Sequence, residues 1–224
     1  PDYPQDVWEA QVVQNITRLR NHPSLVVWCG GNEFNAYSLG NAATMGILER
    51  NLRTFDPTRL FVRTTPDHGS IHAYPDMDPT WYSRSYGKEA WISETGMHSI
   101  PEAGLFYELV DQKEFTGLGN MWDKEFYETI SEASQIGAGE FYQVMSEKVQ
   151  GNYPVTAGLM PWVFKRHWPV IAIQLMDWFG QATAPYYFLK RTYEPTHAAL
   201  DLPRLLWKTG EDLPLAVNVT HAGT

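Results

Sequence analysis

Asn21-His22-Pro23-Ser24-Leu25-Val26-Val27-Trp28-Cys29-Gly30-Gly31-Asn32-Glu33 reads as a turn, then a short buried strand, then a polar Asn-Glu pair at the strand's end. An acid in that place has a common use. At the mouth of a parallel α/β barrel, the loops that follow the strands build the active site. Glu33 would then be half of a carboxylate pair, with its partner downstream.

The pattern around this stretch supports an alternating α/β order. Trp8, Val12, Ile16 and Leu19 recur at helical spacing over residues 6 to 20, and Asn21-His22-Pro23 stops that helix. Leu25 to Trp28 is a continuous apolar run, as expected of a strand covered on both faces. A second helix is predicted from Asn41, as N-cap, to Phe55, with Asp56-Pro57 ending it. Strands are predicted at Leu60 to Thr64, Ile71 to Tyr74, Ala90 to Ser93 and Leu159 to Phe164. A long helical region covers Trp122 to Gln150, with a break expected near Gly137-Ala138-Gly139, and Pro185 to Tyr193 is a further helix. From Thr196 the pattern changes to strand and turn: Ala198 to Leu202, Pro203 to Trp207, and Leu215 to Thr220, the last without a partner hairpin. Strands alternating with helices mean a parallel sheet. An open doubly wound sheet is the alternative to a barrel, but no Gly-rich phosphate loop follows any strand.

Composition narrows the function. The chain has 224 residues, 43% hydrophobic and 14% aromatic, enough for a sizeable core. Nine Trp and twelve Tyr fill cores, and near polar loops they are also the usual platform for sugar rings. The net charge of −9, without a Lys/Arg run, argues against nucleic acid or an anionic membrane surface as a partner. The single cysteine, Cys29, excludes an internal disulfide and is read as an inert buried thiol. No apolar run reaches the ~20 residues that span a bilayer. The chain begins Pro1-Asp2-Tyr3-Pro4, and both ends read as cut from a longer protein that supplies further domains. Compartment is therefore left open, with a secreted or periplasmic setting compatible.

Glu94, in Trp91-Ile92-Ser93-Glu94-Thr95-Gly96, repeats the placement of Glu33: each follows an apolar strand and precedes a loop. Two such acids facing each other across a barrel mouth are what retaining glycosidases use, one as nucleophile and one as acid then base. Spacing alone leaves the plainer reading open, since a Glu after a strand is also a common solvated loop residue.

Three ordered segments sharpen this. Asn21-His22-Pro23-Ser24 with Trp28-x-Gly30-Gly31-Asn32-Glu33 resembles the acid/base segment of glycoside hydrolase family 2, closest to its β-mannosidase-like branch. Ser93-Glu94-Thr95-Gly96 resembles that family's nucleophile segment. Gly158-x-x-x-Trp162, Trp168-Pro169, Asp177, Gly180, Tyr186-Tyr187, Lys190-Arg191 and Pro195 resemble its final barrel strand, last helix and exit into an immunoglobulin-like domain.

The resemblance implies strands four to eight of a (β/α)8 TIM barrel over residues 1–194, then the first strands of an immunoglobulin-like β-sandwich over 195–224. It implies a retaining exo-β-glycosidase acting on a terminal β-linked sugar, most readily a β-mannoside, without cofactor or metal. An exo-β-glucosaminidase or another family 2 β-glycosidase is the alternative, and a non-catalytic carbohydrate-binding barrel is an alternative of another class. By the resemblance Glu33 is the acid/base and Glu94 the nucleophile. Asn32 would bond the sugar's 2-hydroxyl, and Tyr74 would donate to Glu94. His68 and His72 would contact sugar hydroxyls; a metal role would need a third ligand that the spacing does not supply. Trp162 would floor the reacting sugar, with Trp81 and Trp168 as weaker candidates. Lys165, Arg166 and His167 fall on the loop after the last strand, reaching substrate or solvent. Thr95-Gly96-Met97-His98 departs from the aromatic and His residues that follow the nucleophile in the β-galactosidase branch, which argues against that activity. The short stretch from Thr64 to Glu94 implies an irregular barrel. With half the barrel missing, these residues alone are expected to be inactive and prone to association.

Overall fold

A computed structural model describes residues 4–74, 89–109, 124–203 and 206–222. The chain forms two compact units, Pro1–Ile71 and His72–Thr224.

In the first unit, helix α1 (Gln5–Leu19) precedes strand β1 (Val27–Cys29), and helix α2 (Leu39–Phe55) links it to strand β2 (Leu60–Val62). β1 and β2 pair in parallel, Trp28 opposite Phe61, so the segment is a βαβ unit. The apolar stripe of α1 turns Val12 and Ile16 onto Ile47 and Leu52 of α2, with Trp8, Trp28, Leu48, Phe55 and Phe61 packed around them. The turn between α2 and β2 is tied down by Asp56. Its carboxylate accepts from Trp28 Nε1 at 2.8 Å and Arg59 Nη1 at 2.7 Å. Arg59 in turn donates to the carbonyls of Leu25 and His22, holding the Asn21-His22-Pro23 turn against β2.

Two expectations for this unit need correction. α2 starts after Ser38, and Asn41 lies inside its first turn, where its side chain donates to the Asn35 carbonyl at 2.8 Å. Cys29 is exposed. β1 has β2 on one edge and no strand on its other among the described residues, so Val26 and Cys29 stay open.

Strand β3 (Ser70–Ala73) begins at the end of the first unit and runs into the second, which goes on with β4 (Trp91–Thr95), β5 (His98–Ser99), α3 (Ala103–Leu109), α4 (Lys124–Gly151), β6 (Gly158–Pro161), β7 (Ala172–Ile173), α5 (Ala184–Thr192), β8 (Thr196–Asp201) and β9 (Ala216–His221). β3, β4 and β6 form one sheet in that order, with β4 and β6 parallel. α4 is unbroken. Gly139, expected to interrupt it, lies where α5 packs: a Cβ there would stand 2.7 Å from the Phe188 ring. The glycine serves close helix packing rather than a break. Glu94 sits within β4, not after it, because the backbone pairing continues through Thr95, whose carbonyl accepts from Trp162 N at 2.7 Å.

The short antiparallel pair β5–β7 and helix α3 carry no strong sequence pattern and were not expected. β9 does have a partner: it pairs antiparallel with β8, from Thr196 opposite His221 to Asp201 opposite Ala216. Of the strand expected over Pro203 to Trp207, Arg204 and Leu205 lie outside the described residues, and the others are not in a strand. Among the described residues no helix is long and apolar enough to cross a membrane.

Candidate active site

In the first unit the Gly30-Gly31 pair permits a close backbone approach. Gly30 N donates to the Val62 carbonyl at 2.8 Å, and a Cβ on Gly30 would meet the Arg63 carbonyl oxygen at 2.5 Å. The pairing then continues past β1 as an isolated bridge between Asn32 and Thr65, closed by Glu33 N donating to Thr65 O at 2.7 Å. This clamp holds Glu33 at φ 52°, in the left-handed region that costs a side-chain-bearing residue about 1–2 kcal/mol. Such strain persists only where surrounding bonds over-determine it, and it concentrates at functional sites. Asn32 and Glu33 are both exposed. His68 is engaged locally: its Nε2 stands 3.3 Å from the Tyr37 hydroxyl and 3.5 Å from Asp67 Oδ2.

In the second unit Glu94 is held from both sides. The Tyr74 hydroxyl donates to Glu94 Oε1. His72 Nδ1 stands 3.8 Å from Oε2, with both side chains largely buried. Next along the strand, Thr95 is buried and its hydroxyl donates to the Ala73 carbonyl at 2.6 Å, fastening β4 to β3. Gly96 then passes under the last strand. A Cβ there would meet the Trp162 carbonyl oxygen at 2.5 Å and Ile173 Cγ2 at 2.6 Å.

Trp162 is thereby placed beside the Glu94 strand end, 38% exposed, with a cis peptide to Val163. Its carbonyl accepts from the Tyr142 hydroxyl at 3.3 Å, and the same oxygen of Tyr142 accepts from Met97 N at 3.4 Å. Burial pushes the Tyr142 phenol far above its usual pKa, so it stays a donor at any working pH. Arg166 lays its guanidinium over the Trp162 ring, 4.4 Å from the centroid.

Of the residues singled out by sequence, the second unit brings Tyr74, His72 and Glu94 together, with Trp162 alongside. Trp168 is exposed, packed edge-on against His167 at 3.8 Å between centroids, and Lys165 is exposed. Trp81 lies outside the described residues. Tyr142 carried no sequence signal, because it comes from the middle of a helix far along the chain.

Residues 2–103 match the family model of the TIM barrel domain of glycosyl hydrolases family 2. The chain is 20% identical over 261 residues to the β-mannosidase of Capra hircus, a match covering 83% of this chain and 29% of that protein. A β-D-mannosidase structure from Dictyoglomus thermophilum shares the fold: TM-score 0.70, 20% identity, covering 99% of this chain and 36% of the other. An exo-chitosanase structure from Amycolatopsis orientalis matches at TM-score 0.60 and 18% identity over 89% of this chain and 29% of its own. The chain thus spans about a third of the length of the proteins it matches.

Proposed function

We propose that the protein containing this chain is a retaining exo-β-glycosidase, acting on terminal β-mannosides. The observation that carries the reading is Glu94, an acid at the C-terminal end of a parallel strand. One of its oxygens accepts a hydrogen bond from the Tyr74 hydroxyl and the other faces the His72 imidazole. Such contacts fix the orientation of a carboxylate that can serve as a nucleophile. The match of residues 2–103 to the family 2 barrel model and the strained strand end at Glu33 support the second carboxylate as its partner.

In the mechanism, Glu94 attacks the anomeric carbon while Glu33 gives its proton to the departing glycosidic oxygen. This forms a covalent glycosyl-enzyme and releases the aglycone. Glu33, now ionised, takes a proton from water; the water oxygen displaces Glu94 and the sugar leaves with its β configuration kept. The reading requires the two carboxyl groups to stand about 5–5.5 Å apart in the working enzyme. Asn32 binds the sugar's 2-hydroxyl and Trp162 floors the ring. In this reading residues 1–194 are strands four to eight of the barrel, and 195–224 open a β-sandwich.

Glu94→Ala in the full-length protein tests the assignment. Turnover of an aryl β-glycoside is expected to vanish, and azide to restore part of it with an α-glycosyl azide product. A β-azide would exchange the two roles, and full activity would end the proposal. Exo-β-glucosaminidase is the second reading, favoured by the likeness to the exo-chitosanase. Aryl β-mannoside and aryl β-glucosaminide, compared by kcat/KM, separate the two.

A further inference from the structure

Two loops leave the strand ends that meet at Glu33, and one aromatic ring joins them. The first runs from Glu33 to Ser38. The second follows Thr65, whose carbonyl accepts from Glu33 N at 2.7 Å. The Tyr37 hydroxyl of the first loop donates to Asp67 Oδ2 of the second at 3.3 Å and stands 3.3 Å from His68 Nε2. Arg63 covers one face of the Tyr37 ring, 5.1 Å from its centroid, and is itself fixed to Glu49 Oε1 at 2.5 Å. Tyr37 N donates to Asn35 Oδ1 at 3.1 Å, and the neighbouring Ala36 is buried. Tyr37 is nonetheless 62% exposed, so the second face of its ring is open.

Stability does not account for this arrangement. Hydrophobic stabilisation follows the area removed from water, and a ring this exposed adds little. At 3.3 Å the hydroxyl contacts are long for O–H···O bonds, so the phenol is a weak staple between loops. What the contacts achieve is orientation: hydroxyl, backbone and one face are fixed, and the other face is presented. A sugar lays its C–H face on such a ring and sends its hydroxyls to polar groups at the rim. Asp67 and His68 stand at that rim. Backbone strain marks the same place. Among the described residues, Glu33 and His68 are the residues other than glycine held at positive φ, and they lie at these two strand ends.

Position decides which sugar the ring serves. In the glycosidase reading Asn32 holds the reacting sugar, and Glu33 lies within hydrogen-bond reach of the oxygen that departs. Tyr37 follows four residues on, within about 14 Å even for an extended chain. The turn closed by Ser38 N donating to Asn35 O at 3.2 Å brings it nearer. We infer that Tyr37 is the platform for the leaving sugar, with Asp67 and His68 bonding its hydroxyls, so that the substrate is a β-linked glycan of two or more sugars and a free sugar can take the vacated place. This rests on the glycosidase reading above and names the leaving-group class of the same site. A sugar in that place competes with water for the glycosyl-enzyme. Its hydroxyl oxygen bonds to the anomeric carbon, the bond to Glu94 breaks, and Glu33 takes the hydroxyl proton, giving a new glycoside.

The test uses full-length protein and an aryl β-mannoside or β-glucosaminide to form the glycosyl-enzyme. Free mannose, glucose or glucosamine is added as acceptor and compared with glycerol, a polyol without a ring, at equal concentration. At least one sugar is expected to be glycosylated about fivefold more often than glycerol. Tyr37→Ala should bring that ratio to about one, and Tyr37→Phe should keep most of it, since the ring remains. A phenol acting only as a loop staple predicts that Phe loses as much as Ala, and that result overturns the inference. The ratio is read within one sample, so loss of folded protein does not move it. Equal capture of sugars and glycerol by the wild type overturns the inference while hydrolysis, and the glycosidase reading, stand. So does a sugar preference that survives Tyr37→Ala. Should Tyr37→Ala fail to fold, the wild-type ratio and Tyr37→Phe decide. Turnover of neither aryl glycoside defeats the glycosidase reading. Calorimetric binding of β-1,4-mannobiose to wild type and Tyr37→Ala then settles the Tyr37 question alone, and equal affinity overturns it.

Discussion

The Tyr74 hydroxyl donates to Oε1 of Glu94 across neighbouring strands, from the residue after β3 to a residue within β4. A hydrogen bond to a charged partner is worth about 1.5–3 kcal/mol. If Glu94 is the nucleophile, removing this bond raises the barrier by about that amount. Tyr74→Phe in the full-length protein is therefore expected to lower kcat about 10- to 100-fold. Steady-state kinetics on an aryl β-glycoside check it, and a loss below twofold would put the phenol outside the mechanism.

Glu33 pays in stability for its position. Its φ of 52° suits glycine, so Glu33→Gly should fold about 1 kcal/mol more stably than Glu33→Ala while both lose acid catalysis. Chemical denaturation of the two variants measures the difference directly. Equal midpoints would mean the left-handed backbone is not held in solution.

Gly96 and Gly139 both sit against neighbours, yet alanine should be tolerated differently at each. At Gly96 the obstruction is a backbone carbonyl, that of Trp162, fixed in its own hydrogen bonds. At Gly139 it is the Phe188 ring, a side chain able to swing. Gly96→Ala is expected to cost about 1–3 kcal/mol and to disturb the Trp162 fluorescence. Gly139→Ala should cost less, and thermal denaturation of the pair tests the order.

Asp56 sets an acid limit on the first unit. Hydrogen bonding from Trp28, then from Arg59 and Thr58, holds its carboxyl below the usual range despite the opposing effect of burial. A group whose folded pKa is depressed adds stability above its unfolded value of about 3.9 and loses it as pH falls through the folded value. Stability should thus decline as pH drops below about 4, with Trp28 reporting the transition. Asp56→Asn should be less stable at neutral pH and show a flatter acid limb. An unchanged limb would remove Asp56 from the account.

Much of this architecture is legible in local pattern. The α1 stripe, the apolar runs of β1 and β4 and the acids at or near their ends depend on neighbours within a few residues, and the periods of helix and strand expose them. The errors have a common origin. The apolar run around Cys29 implies cover, but cover is supplied by other strands, and Cys29 is exposed. Local pattern ends the strand before Glu94, because the contacts that extend β4 to Thr95 come from Trp162 and Ala73. Gly139 looked like a helix breaker because its packing partner, Phe188, lies on another helix.

By itself the amino-acid order determined that strands and helices alternate, and that Glu33 and Glu94 stand at strand ends in matching contexts. Such features are encoded by spacing along one segment. Only the tertiary structure decided that Tyr74 and His72 meet Glu94, that Gly96 must lack a side chain beneath the Trp162 carbonyl, and that Arg166 is buried over the Trp162 ring. Those contacts follow from how closely one backbone approaches another, and that separation is set by the packing of whole strands and helices.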